Sequence, residues 1–137
     1  MSVENLKFKE INKSDLKFLY QHLKERDPKE NISHQQMPTY TEHVKFVLSS
    51  PYYKWYIILQ KNKKIGTIYL THDDEIGLHL KKEWFNNAIL EETFEILKKT
   101  IPQKRYVVNI SPKNLKLKNF FLKKGFFMSQ QTFVKYH

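Results

Sequence analysis

The stretch that decides the fold runs from Glu75 to Lys99 and reads EIGLHLKKEWFNNAILEETFEILKK. Its first six residues alternate, with Glu75, Gly77 and His79 on one face and Ile76, Leu78 and Leu80 on the other, the period of a strand. The last dozen change period: Leu90, Thr93, Phe94 and Leu97 stand at i, i+3, i+4 and i+7, the stripe of a helix, and Pro102 lies beyond its end. Between the two lies Lys81-Lys82-Glu83-Trp84-Phe85-Asn86-Asn87, without a glycine. Strand, short loop and helix start is the layout on which backbone amides hold a phosphate, and such loops ordinarily use glycine so that the chain can approach the ligand.

Upstream, Leu6 to Ile11 alternates as a short strand. Leu16, Leu19, Tyr20 and Leu23 mark a helix with Ser14 as cap and Pro28 closing it. Asp27 to Pro38 is polar and aperiodic, a loop of functional length that holds Ser33 and His34. Thr39 and Glu42 form a capping box, and Tyr40, Val44, Val47 and Leu48 form the stripe of a second helix ending at Ser49-Ser50-Pro51. Tyr53 to Gln60, Ile65 to Thr71 and Glu75 to Leu80 then make an antiparallel meander with tight polar turns. After the Glu75–Lys99 unit, Tyr106 to Ile110 reads as a strand and Ser111-Pro112 as a helix start. Gly125 stands at that helix's C-terminus, and Phe126 to Tyr136 gives one or two final strands. The expected fold is a single α/β (α+β) domain over 1–137, with a mixed central sheet of six to seven strands and about four helices on its faces.

Composition narrows the function classes. A chain of 137 residues with 40% apolar and 15% aromatic content can bury one core, and zero cysteines exclude disulfides, thiolate zinc sites and cysteine nucleophiles. No amino-terminal apolar segment or membrane-length apolar run is present, so a cytoplasmic protein without a membrane partner is expected. The net charge of +10 suits nucleic acid or an anionic ligand, but only Arg26 and Arg105 are arginines. Nucleic-acid surfaces favour arginine forks, which argues against that partner.

The segment NISPKNLKLKNFFLKKGF, Asn109 to Phe126, carries a strand end, an Asn-x-x-Pro-x-Asn turn, a helix with paired aromatics and Lys-x-Gly-Phe. It resembles the late strand-helix motif of the GNAT superfamily of acyl-CoA-dependent N-acetyltransferases, whose element order matches along nearly the whole chain. The resemblance implies acetyl-CoA as co-substrate and no metal. It places the coenzyme pyrophosphate at Phe85, Asn86, Asn87, Ala88 and Ile89, where relatives carry Arg/Gln-x-x-Gly-x-Gly/Ala. Asn86 and Asn87 can supply left-handed backbone and Ala88 is small. Phe85 lacks the usual polar handle, and Leu90 stands where the family keeps a small residue.

The same resemblance implies a carboxylate base at the fourth strand, here Glu75, with His79 as a separate candidate on the same face. It implies an oxyanion donor among the backbone amides from Leu78 to Leu80, where the pantetheine arm runs. Asn114 matches a helix-start asparagine that contacts the coenzyme, although asparagine caps helices routinely. Phe121 stands where many relatives carry a tyrosine that protonates the leaving thiolate, and phenylalanine cannot. NISHQQMPTYTEH, Asn31 to His43, resembles a loop and helix from a branch associated with amino-sugars. His34, Tyr40 and His43 would line the acceptor pocket with Tyr69; Tyr40 equally fits the buried stripe, and His43 the solvated face. His72, Asp73 and Asp74 lack a companion at ligand spacing, so no metal site is expected. Two functions stand open: acetyl transfer to a small-molecule amine such as an amino-sugar, or a GNAT-like ligand-binding or protein-interaction module without turnover. A homodimer paired through the terminal strands fits either.

Overall fold

The structure, a computed structural model, describes residues 6–26 and 37–137; residues 27–36, where most of the expected loop with Ser33 and His34 falls, lie outside the described residues. Strand β1 (Leu6–Glu10) leads through a 3₁₀ turn (Lys13–Asp15) into α1 (Leu16–Glu25), and α2 (Tyr40–Leu48) is the next described helix. Then come β2 (Lys54–Gln60), β3 (Lys63–Leu70), β4 (Glu75–Leu80), a 3₁₀ turn (Lys82–Trp84), α3 (Asn87–Thr100), β5 (Val107–Val108) and α4 (Leu115–Lys123). The sheet order is β1-β2-β3-β4-β5, antiparallel from β1 to β4 and parallel between β4 and β5. The mixed sheet and four helices are the expected architecture, with five strands among the described residues rather than six or seven.

The missing strands are the tail. Phe126 to Tyr136 forms none: Phe126 packs on the core beside Phe94 and Phe121, but Phe127, Phe133 and Tyr136 beyond it are exposed and pair with no strand among the described residues. Helix α4 also starts later than expected: Ser111 to Asn114 is a turn closed by the Asn114 amide on the Ser111 carbonyl, and Asn114 becomes the cap. Its end is as expected. Gly125 has φ +94°, its amide donates to Leu122, and that of Phe126 donates to Phe121, the two bonds of a Schellman motif.

Each sheet face carries a core. On one, Ile68, Leu70, Ile76, Leu78 and Leu80 meet Ile89, Leu90, Phe94 and Leu97 of α3 and Leu117, Phe120 and Phe121 of α4. On the other, Ile57 packs against Leu19 of α1 and Val47 of α2. Helix α2 is rotated from its expected stripe: His43 and Val47 are buried, while Tyr40 and Leu48 are exposed. His43 packs against Tyr20 of α1 and Phe46, at centroid distances of 5.5 and 6.3 Å.

Helix α1 is fixed at its start rather than by Ser14. Asn12 accepts from the Ser14 amide, and Asp15, fully buried, accepts at 2.7 Å from both Lys9 of β1 and Lys64 of β3. Burial would raise the Asp15 pKa, but the bonds from Lys64 and Lys9 hold it below the ordinary carboxylate value. This ion triad sets where α1 lies across the sheet.

Candidate active site

The site begins where β4 and β5 part. Their pairing covers Glu75↔Val107 and Ile76↔Val108 and then ends. The amides of Lys81 and Thr71 donate to Ile65 and Glu75, so odd-numbered residues of β4 bond towards β3 and the even-numbered Leu78 and Leu80 direct their N–H and C=O the other way. The edge from Leu78 to Leu80 thus faces the gap without a strand partner among the described residues. A cleft of about 560 Å³ opens there, reaching from α1 and α2 across β2, β3 and β4 to Val108–Ser111 and Asn114, with Gln130 and Thr132 of the tail on its wall.

Glu75 and His79 both line this cleft. Glu75 is held by its backbone, its amide donating to the Thr71 hydroxyl at 3.0 Å, and it remains partly accessible. Towards α2 the wall is aromatic. Tyr52 stacks on Tyr69 with centroids 3.7 Å apart and planes at 3°, and Trp55 meets Tyr52 edge-on at 4.8 Å. The Tyr52 hydroxyl bonds that of Tyr69; burial pushes both phenols above their usual pKa, so both stay neutral in the physiological range. Gly77 makes the arrangement feasible. It pairs directly with Tyr69, and a Cβ there would lie 1.9 Å from the phenol ring. His22 of α1, 4% exposed, also lines the cleft and donates Nε2–H to the His79 carbonyl at 2.9 Å. Arg26, Glu42 and His43 complete that end.

The glycine-free loop departs from its expected geometry. Asn86 has φ −143° and Asn87 is helical, so neither supplies left-handed backbone. Asn86 is instead the cap of α3, its Oδ1 accepting from the Ile89 amide at 3.0 Å. Leu90, with no exposed surface, and Ile89 point into the core, so the branched side chain at Leu90 does not occupy the loop's outer side. Asn87 and Ala88 are exposed at the first turn, and their amides donate to no group among the described residues. Lys116 of α4 reaches the Phe85 carbonyl at 3.0 Å and lies over its ring, bringing positive charge to this corner.

The structure therefore gathers Glu75, His79, Tyr69, Leu78 and Asn114 into one cleft. Leu80 continues its β4 edge, and the loop from Phe85 to Ile89 stands apart at the start of α3. Two expected residues lie elsewhere. Tyr40 is exposed, edge-on to Tyr20 at 5.3 Å, and does not line the cleft. Phe121, 2% exposed, sits among Phe94, Phe120 and Phe126 with ring centroids 4.9 to 6.0 Å away, in the core rather than the cleft. Asn114 caps α4 through the Leu117 amide. Sequence reading missed His22, Tyr52, Trp55 and Arg26. Gly77, a glycine within a strand, was the available signal for the aromatic wall, since such a position marks a close approach.

A mixed sheet whose fourth and fifth strands part over a cleft, with α3 beginning just after β4, is the fold of the GNAT acetyltransferases. Solved structures with this fold include a GNAT-family acetyltransferase from Streptococcus pneumoniae, 17% identical, with 92% of this chain and 87% of that one covered and a TM-score of 0.61. The acetyltransferase from Salmonella typhimurium that modifies the N-terminal serine of ribosomal protein L7/L12 is 16% identical over 88% of this chain and 79% of its own, at TM-score 0.67. The Campylobacter jejuni N-acetyltransferase PseH, solved with acetyl coenzyme A, is 18% identical over 93% and 92%, at TM-score 0.63. No family model and no curated protein sequence matches the chain.

Proposed function

We propose that the protein is a GNAT N-acetyltransferase that passes an acetyl group from acetyl-CoA to the primary amine of a small molecule, with an amino-sugar as the favoured acceptor. The observation that carries this reading is the β4 edge from Leu78 to Leu80, without a strand partner among the described residues, whose Leu78 and His79 line a cleft that also holds Glu75. In the reaction the acceptor nitrogen, freed of its extra proton by Glu75 directly or through water, attacks the thioester carbonyl. The new C–N bond forms, the oxyanion takes a hydrogen bond from a β4 amide, the C–S bond breaks, and the thiolate leaves with a proton from water. His79 is the second candidate base. Phe121, buried among phenylalanines, has no part in thiolate protonation. The pyrophosphate would lie on the exposed Asn87 and Ala88 amides at the start of α3, with Lys81, Lys82 and Lys116 supplying charge.

Aromatic side chains at Tyr52, Trp55 and Tyr69 beside Glu42 and Glu75 suit a polyhydroxylated ring bearing a cationic amine, because sugar C–H faces stack on aromatic rings while carboxylates draw the ammonium. The structural neighbours include enzymes that act on a protein terminus, so the acceptor is what needs testing first. Free-thiol release from acetyl-CoA should appear with amino-sugars and their nucleotide-linked forms, and vanish in Glu75→Gln. Acetylation confined to peptide amino termini would overturn the acceptor class. Binding of acetyl-CoA without thiol release from any amine would favour the non-catalytic module.

A further inference from the structure

We propose that His22 is a positioning residue that holds the His79–Leu80 peptide so that the Leu80 amide faces the thioester carbonyl; the role rests on the acetyl-transfer reading above. His22 lies on α1, outside the strand-loop-helix unit that carries every other candidate group on this peptide, yet its Nε2 is 2.9 Å from the His79 carbonyl oxygen. A carbonyl only accepts, so Nε2 carries the proton, and Nδ1 finds no partner among the described residues. Burial lowers the pKa of the ring, keeping it in this neutral, donating form.

The consequence follows from peptide geometry. The His79 carbonyl and the Leu80 N–H belong to one planar trans unit and point in opposite directions. His79 stands opposite Thr67 in the β3–β4 ladder, which aims its carbonyl at β3 and the Leu80 N–H into the gap left when β5 ends at Val108. An edge peptide without a neighbour on that side is free to tip about its flanking dihedrals, whereas a second bond to its carbonyl restrains it. Gly66 contributes as well. A Cβ there would lie 2.4 Å from the same His79 oxygen, so its absence lets β3 approach closely while leaving the oxygen open to His22. Two features far apart in sequence thus converge on one carbonyl whose partner amide points into the gap beside β4.

The test compares His22→Phe, which keeps a flat ring beside Phe18, with His22→Gln, which keeps an N–H donor. In ¹⁵N-labelled wild-type protein the Leu80 amide proton should move downfield on adding acetyl-CoA and much less with CoA, which has no acetyl carbonyl. His22→Gln should keep that difference. His22→Phe should lose it, and its preference for acetyl-CoA over CoA should fall roughly two- to tenfold, the worth of one hydrogen bond, with CoA affinity unchanged. A merely structural role would weaken both ligands together. Retention of the wild-type shift and preference in His22→Phe overturns the proposal, as does bound acetyl-CoA that leaves Leu80 unmoved in the wild type. Failure of the wild type to bind either ligand overturns the acetyl-transfer reading and this role with it, a result distinct from binding without the shift.

Discussion

Tyr69 and Gly77 face each other across β3 and β4, and the phenol ring lies where a Cβ on Gly77 would stand, 1.9 Å from its ideal position. Tyr52 then covers Tyr69 face to face. Gly77→Ala should displace the phenol, break the stack and cost about 1–3 kcal/mol, the range for overpacking a filled site. Urea unfolding measures the cost. On the proposed reading, in which the ring wall holds the acceptor, acceptor KM should rise while acetyl-CoA affinity holds.

His22 gives stability a pH dependence of known sign. Its folded pKa lies below the ordinary 6.5, first through burial and then through the charges of Arg26 and Lys81, against the raising influence of the His79 carbonyl and Glu25. The unfolded chain therefore binds the proton more readily. The stability this shift contributes is fully present above about pH 6.5 and is lost as pH falls from there through the folded pKa. Chemical denaturation at pH 7.5 and 5.5 should show the decline, and His22→Gln should flatten it.

Phe121→Tyr places a hydroxyl where the resemblance to GNAT enzymes implies a proton donor for the thiolate, yet should not raise turnover. The side chain is 2% exposed among Phe94, Phe120 and Phe126, so a hydroxyl there is buried without a partner and should cost about 1–3 kcal/mol. Thermal unfolding beside thiol-release rates checks both halves.

The tail favours a second copy of the chain as partner. Phe127, Met128, Phe133, Val134 and Tyr136 are between 62% and 88% exposed. At the areas such side chains present, that is roughly 700 Å² of exposed apolar side chain in one segment, near the ~800 Å² each partner contributes to a stable interface. Sedimentation should show a dimer, and Phe127→Glu with Phe133→Glu a monomer. A monomeric wild type at tens of micromolar would remove the second copy.

The order of elements was legible because periodicity switches cleanly, and the capping box at Thr39 and Glu42 and the glycine after α4 stand where the residues put them. What was not legible depends on contacts across the sheet. His43 reads as solvated until Tyr20 of another helix packs against it, whereas the burial of Leu90 was already given by its place on the α3 stripe. The tail alternates like a strand, but a strand needs a neighbour, and its sequence does not say whether one is present. His22 acts through a residue fifty-seven positions away, a separation no local pattern reports.

The most direct test of the central claim is a calorimetric titration with acetyl-CoA at low and moderate salt, with Ala88→Glu beside the wild type. Binding should be saturable and one-to-one and should persist as salt screens the +10 net charge. Affinity should be at least tenfold weaker in Ala88→Glu, whose carboxylate would repel phosphate from the exposed amides at the start of α3. Heat that disappears with salt, or a variant that binds as well as the wild type, would contradict it.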